Sequence, residues 1–232
     1  MKGSAKSTHG RLFGYYKNVR FTDVEQAAVS YYQLVGDQVN ESLRAQRLGW
    51  PDLIDALNAG FELRGFPRNA HPLQGKMPNA EIRRLRRTKT GRIILQYGAG
   101  ELTHALCKIF TRPEIRLPED VVVYRGISLH IEEATGFQWG FTSTTLDADV
   151  ALRYAGIYAP IEATTKPAGI VRIRVPKGTP ALYVPAISYL FRKDRELLLP
   201  PGIFVEVTSS VRSLEAAEAE VLLSNPALGS IL

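Results

Sequence analysis

"RLPEDVVVYRGI", residues 116–127, is the stretch where the chain changes character. Before Pro118 apolar residues recur at helical spacing. Beyond it come short runs rich in β-branched and aromatic residues, separated by Pro and Gly: "VVVYRGI" (121–127), "GFTSTT" (140–145), "AGIVRIRVP" (168–176), "PALYVP" (180–185), "RELLLP" (195–200) and "GIFVEVTSSV" (202–211). One helix-like segment, Asp147 to Ala155, interrupts them. Helices followed by strands, rather than alternating with them, predict an α+β fold: N-terminal helices, then a mainly antiparallel β-sandwich core, and not a doubly wound parallel sheet.

Working back from Pro118, a helix is expected from about Gly98 to Phe110, ending before Pro113. Further upstream, "TDVEQAAVSYYQLVGDQVNESLRAQR" (22–47) opens with Thr22 followed three residues later by Glu25, a capping box. Val24, Ala27, Ala28, Tyr31, Tyr32 and Val35 then recur at helical period, and Gly36 is expected to break the run into two helices. From Leu214 onward the reading is a short acidic helix and a loose tail. With 232 residues, 45% hydrophobic and 22% charged, one core suffices. A single domain spanning 1–232 is expected, with a helical lead-in over about 20–112, a β core over about 118–212, and the C-terminal helix and tail over 213–232.

Composition narrows the functional classes. No apolar run approaches the ~18 residues of a membrane span, and "MKGSAKSTHG" lacks the apolar stretch of a secretory signal. The expectation is a protein acting in the cytosol, its own or that of a cell into which it is delivered by a signal-less route. Cys107, the single cysteine, lies in the apolar "LTHALCKIF" and reads as a buried thiol. The four histidines, His9, His71, His104 and His130, show no metal-ligand spacing, so no metal is expected. The net charge of +6 sits in one place: Lys76 to Arg92 holds seven Lys or Arg against a single Glu. A solvated helix face or loop is the plainer reading of that segment, and a docking surface for an acidic partner or nucleic acid the sharper one. No aromatic interleaves the arginines, so base stacking is not indicated.

Three short motifs in the β-rich half carry chemistry. Arg125 ends a strand in "YRG" and offers a planar, permanently charged fork suited to phosphate or carboxylate. In "GFTSTTLD" (140–147), Thr142, Ser143, Thr144 and Thr145 form a run of four hydroxyls before a helix. In "DRELLLPPG" (194–202), Pro200 and Pro201 forbid a continuing helix, so Asp194 and Glu196 read as two apart on extended chain, their carboxylates on one side and Arg195 on the other. Paired carboxylates at the end of a β-structure suit glycosidic-bond chemistry.

Taken in order, "VVVYRGI", "GFTSTTLD", "RVPKGTPALYVPAIS" and "DRELLLPPG" closely resemble the bacterial ADP-ribosyltransferase exoenzyme family, the Arg-Ser-Glu branch that includes clostridial exoenzymes and insecticidal binary toxins. "AVSYYQLVGDQVNESLR" (28–44) together with "RLPEDVVVYRG" resembles the family's helical lead-in, whereas residues from about 49 to 92 resemble nothing familiar. The resemblance implies the fold of that family and NAD as substrate. It makes Arg125, with Gly126, an NAD-binding position, and it places Ser143, Thr144 and Thr145 on the family's Ser-Thr-Ser, with Thr145 a change at the third position. Ser143 would support the active-site carboxylate. The segment up to Gly169 would contact the phosphates and nicotinamide, through Arg153 or Lys166. Glu196 would be the catalytic glutamate, and Phe191 with Asp194 would meet the target.

The implied activity is mono-ADP-ribosyl transfer from NAD to a macromolecule, a protein side chain with arginine favoured, by a toxin, an effector or a phage enzyme that modifies its host. Asp194 stands where the family carries Glu or Gln, which bears on the acceptor. An NAD glycohydrolase, or transfer to nucleic acid through residues 76–92, are the alternatives.

Overall fold

A computed structural model describes residues 2–47, 50–59, 79–127, 136–157, 169–209 and 216–222. Six helices come first: α1 (Lys2–Lys17), α2 (Asp23–Gln46), α3 (Trp50–Asn58), α4 (Asn79–Leu85), α5 (Lys89–Gln96) and α6 (Ala99–Ile109). A 3₁₀ turn at Pro113–Ile115 leads into β1 (Val121–Ile127), followed by β2 (Gly136–Gln138), β3 (Thr142–Thr145), α7 (Ala148–Ile157), β4 (Gly169–Val175), β5 (Leu182–Tyr183), β6 (Glu196–Leu199), β7 (Ile203–Ser209) and β8 (Ala216–Leu222). The strands join in the order β2-β7-β8-β4-β1-β3-β6-β5. Among the described residues β4 and β8 pair in parallel and every other neighbouring pair is antiparallel, so the expected α+β layout with a mainly antiparallel core holds.

The capping box of α2 forms as expected: the Glu25 amide donates to Thr22 Oγ1 at 3.2 Å and the Thr22 amide to Glu25 Oε2 at 2.7 Å. Glu25 then accepts from Arg112 at 2.9 Å, which ties the start of α2 to the turn before β1. The apolar stripe Ala28, Tyr31, Tyr32, Val35, Val39 and Leu43 is buried in one core with Leu102, Leu106 and Phe141. Gly91 lets α4 and α5 cross closely, because a Cβ there would fall 2.1 Å from the Leu85 carbonyl oxygen. Arg83, Arg84, Arg86, Arg87, Lys89 and Arg92 of this hairpin are exposed. Lys76 lies outside the described residues.

The break expected at Gly36 is present one residue earlier: α2 consists of two helical segments that meet at a kink at the non-helical Val35 (φ −140°, ψ 27°). Three expectations are corrected. Residues 2–17 form a helix where none was expected. Its glycines and sparse apolar residues mask the period, and tertiary contacts hold it: Tyr16 donates to the Ala181 carbonyl at 2.7 Å, and His9 hydrogen-bonds Tyr183. Ala216–Leu222 is a strand, not a helix, since pairing with both β4 and β7 overrides the helical preference of Ala and Glu. Asp194 and Glu196 do not share an extended segment. Asp194 ends a 3₁₀ turn (Arg192–Asp194), Arg195 is left-handed at φ 48°, and β6 begins only at Glu196.

Candidate active site

Arg125, Ser143 and the pair Asp194 and Glu196 come from three separate places in the sequence, and all line a cleft of about 550 Å³ together with α2 and α7. The ladder explains how. β3 pairs with β6 so that Ser143 faces Leu198 and Thr145 faces Glu196, while β1 pairs with β3 through Tyr124 and Thr145. Gly126 follows Arg125 for a steric reason: a Cβ would stand 2.2 Å from the Ala151 carbonyl oxygen, so glycine lets α7 lie against β1.

The Glu196 carboxylate is gripped from two sides. Ser143 Oγ donates to Oε1 at 2.8 Å, and Gln33 Nε2 donates to Oε2 at 3.2 Å. Burial pushes this carboxyl above the usual carboxylate range; the Ser143 and Gln33 hydrogen bonds pull it back, and the Asp194 charge adds to the rise. Arg125 Nη1 donates to Gln138 Oε1 at 2.9 Å, which fixes one end of its fork.

The hydroxyl run divides its work. Thr144 donates to the Leu197 carbonyl at 2.6 Å and Thr145 to the Asp194 carbonyl at 2.5 Å, so both protons join β3 to the segment that carries the carboxylates. Only Ser143 of these three turns its proton to the Glu196 carboxylate. At the cleft mouth, Tyr154 donates to Asp194 Oδ2 at 2.6 Å, and Phe191 is 54% exposed, which leaves its ring available to another molecule. Arg153, on α7, is exposed and is not among the residues lining the cleft. Lys166 and most of the loop around it lie outside the described residues.

Sequence reasoning missed what α2 contributes. Tyr32, Gln33 and Asn40 reach the site from the helical lead-in: Tyr32 Oη lies 3.1 Å from Ser143 Oγ, and Asn40 Nδ2 donates to Tyr32 Oη at 3.1 Å. A signal existed, because Asn40 is a polar residue next to Val39 on the buried stripe, where a polar group needs partners. Gln33 gave none, since a glutamine beside the stripe is ordinary. Among the described residues no group of His, Cys, Asp and Glu could hold a metal ion.

Residues 126–225, a little under half of the chain, match the family model described as ADP-ribosyltransferase exoenzyme. No curated protein matches the chain. Three solved structures share the fold along nearly the whole length. C3stau2 from S. aureus, solved with NAD, is 16% identical, with 95% of each chain covered and a TM-score of 0.54. The C3 exoenzyme of Clostridium limosum is 16% identical, covering 95% of this chain and 94% of that one at a TM-score of 0.52. Plx2a, a toxin from Paenibacillus larvae, is 18% identical, covering 95% of this chain and 96% of that one at a TM-score of 0.52. At such identities the likeness is one of fold. The family match falls on the strands that carry Ser143 and Glu196, and over those residues the chain is similar to the ADP-ribosyltransferase exoenzymes.

Proposed function

We propose that the protein cleaves NAD and transfers the ADP-ribose to a protein side chain, with arginine the favoured acceptor, inside a cell to which it is delivered. The observation that carries this reading is the carboxylate of Glu196, held by Ser143 and Gln33 on the wall of a cleft that also contains Arg125. Nicotinamide leaves NAD as a neutral molecule: the glycosidic C–N bond breaks, its electron pair goes to the pyridine nitrogen, and the ribose carbon is left cationic. No proton need be given to the leaving group. What the reaction needs is a fixed negative charge beside the developing cation, and an ionised Glu196 held by two donors supplies it without reorganisation. Arg125 is suited to the diphosphate.

The second half of the reaction forms a new C–N bond from an acceptor nitrogen. An arginine guanidinium is protonated at neutral pH and must lose a proton as that bond forms. Asp194, at the mouth beside the exposed Phe191, is placed to take it. The exposed arginines of the α4–α5 hairpin would attract an acidic surface on the target. No described helix is long and apolar enough to cross a membrane.

The test is incubation of the purified chain with NAD labelled in the ADP-ribose part and a cell lysate, alongside Glu196→Gln. Label on a protein band, absent with the variant, supports the reading, and fragmentation of the labelled peptide names the acceptor residue. Label released only as free ADP-ribose would make the protein a glycohydrolase. Label removed by nuclease would make the acceptor a nucleic acid.

A further inference from the structure

Asn40, Tyr32, Ser143 and Glu196 stand in one continuous line of hydrogen bonds, at 3.1, 3.1 and 2.8 Å. The polarity of that line is fixed at both ends. The Phe141 amide donates to Asn40 Oδ1 at 2.8 Å while the Phe141 carbonyl accepts from Nδ2 at 3.0 Å, so the side of the amide that faces Tyr32 is the NH₂ group, which can only donate. At the far end an ionised carboxylate can only accept. Each hydroxyl between them has a single proton, so Ser143 must aim its proton at Glu196 and Tyr32 must aim its own at Ser143.

We propose that Tyr32 is a positioning residue for the catalytic carboxylate: its buried hydroxyl locks Ser143 as a donor, so that α2 sets the orientation and charge of Glu196. The inference rests on the reading of Glu196 given above. Two glycines make room for the line. A Cβ on Gly36 would come within 3.1 Å of Tyr32 Cζ, and one on Gly140 within 2.8 Å of Asn40 Oδ1. The ring of Tyr32 is also held edge-on by Phe141, with centroids 5.2 Å apart. Burial, and then the Glu196 charge, push the Tyr32 phenol well above its ordinary range, so it keeps its proton at neutral pH. A chain of aligned donors polarises along its length, and each link strengthens the next. The groups that bear on Glu196 are Tyr32 and Gln33 from α2, Ser143 from β3, and Asp194 from the turn before β6; Arg125 of β1 acts on the line through Tyr32.

The test uses the full chain labelled with carboxyl-¹³C glutamate. The Glu196 resonance is assigned by its loss in Glu196→Gln and titrated in the wild type and in Tyr32→Phe. Removing the phenol should raise the Glu196 midpoint by about half a pH unit, the size expected when a charge-assisted donor loses its cooperative support. Nicotinamide release should fall roughly tenfold in kcat with KM for NAD changed by less than about twofold, less than the loss of a group that touches the reacting atoms. In a Ser143→Ala background the Tyr32→Phe change should add nothing, because its route is already cut. An unchanged midpoint and kcat, or an effect that persists in Ser143→Ala, overturns the inference and leaves Tyr32 as packing. If Tyr32→Phe does not fold, Gly36→Ala, which crowds the ring while keeping every group, carries the same readouts in the same direction. A wild type that releases no nicotinamide sinks the functional reading, while the titration still decides the role of Tyr32.

Discussion

Glu196 and Asp194 are two residues apart and line the same cleft, yet the protein holds them by different means. Glu196 opens a regular strand, pairs with Thr145 across the ladder, and has a donor on each carboxylate oxygen, one from β3 and one from α2. Asp194 closes a turn whose two flanking residues, Phe191 and Arg195, are left-handed at φ 47° and 48°, a conformation that costs about 1–2 kcal/mol for each non-glycine residue. Its carboxylate takes one hydrogen bond, from the partly exposed Tyr154, and its carbonyl one from Thr145. On the function proposed above, the inner pair of strands would be preorganised for a step shared by every acceptor, the departure of nicotinamide. The rim is a strained turn, and on the same proposal it could differ with the target without disturbing that step.

The strongest way to break this division is Glu196→Gln, which keeps the shape and removes the charge. Nicotinamide release and transfer should fall together by about 10²–10³. The acid side of the wild-type pH profile should lie above the usual carboxylate range, because burial raises this group and only its ionised form is useful. The sign for stability runs the other way. A carboxyl whose folded pKa is raised binds its proton more tightly in the native state, so folding is weakened as pH climbs from the unfolded value through the folded one. Glu196→Gln should therefore melt higher than the wild type at neutral pH, and that advantage should shrink towards acid. A rate loss with a lower melting temperature at every pH would show that the charge is structural.

Asp194→Asn comes next. It should spare nicotinamide release without target and depress transfer to arginine by up to about 10², the scale of a positioned general base. Asp194→Glu, one methylene longer, should keep or raise transfer. Equal loss of release and transfer in Asp194→Asn would show that the two carboxylates act as one unit, and the distinction between inner site and rim would fall.

Much of this was legible from the sequence and some was not, for reasons that particular residues make plain. Thr22 and Glu25 form their capping box because the information is local, within four residues. Arg125, Ser143 and Glu196 were readable because each sits in a short motif of distinctive residues. The split between Asp194 and Glu196 was not, since the left-handed Arg195 depends on Thr145 catching the Asp194 carbonyl and on the ion pair of Arg195 with Asp147, 3.5 Å away. Strand β8 was hidden for the same kind of reason: its Ala and Glu favour helix until β4 and β7 offer their edges. Tyr32 and Asn40 lay on a helix that looked like scaffold, and a hydrogen bond across more than a hundred residues leaves no local mark.

Gly126→Ala probes the joint between the two regions. The new methyl would meet the Ala151 carbonyl oxygen at 2.2 Å, so α7, which carries Tyr154, must move off β1. Overpacking of this kind costs about 1–3 kcal/mol, and the melting temperature should drop accordingly. Any surviving enzyme should lose transfer more than nicotinamide release, because the displaced helix supports Asp194 at the rim while Glu196 is held by α2 and β3. A melting temperature equal to the wild type would mean that the helix and strand have slack at Gly126.

Tyr154→Phe should have the smallest effect and makes the finest test. The ring stays, and only the hydroxyl that donates to Asp194 Oδ2 at 2.6 Å is lost. Water reaches this position, since Tyr154 is 38% exposed, so a solvent molecule can replace part of the bond and the carboxylate keeps its charge. What changes is the freedom of Asp194 to rotate away from the acceptor. Transfer should drop roughly threefold to tenfold, the equivalent of about 1 kcal/mol for one hydrogen bond to a charged group in contact with water. Nicotinamide release without target should stay within about twofold of wild type, because none of the groups on Glu196 is touched. The double variant Tyr154→Phe with Asp194→Asn should transfer no worse than Asp194→Asn alone, since the hydroxyl acts only through that carboxylate. If Tyr154→Phe lowers release as much as transfer, α7 reaches the bond-breaking step as well, and the cleft is one catalytic unit rather than a fixed interior with an adjustable mouth.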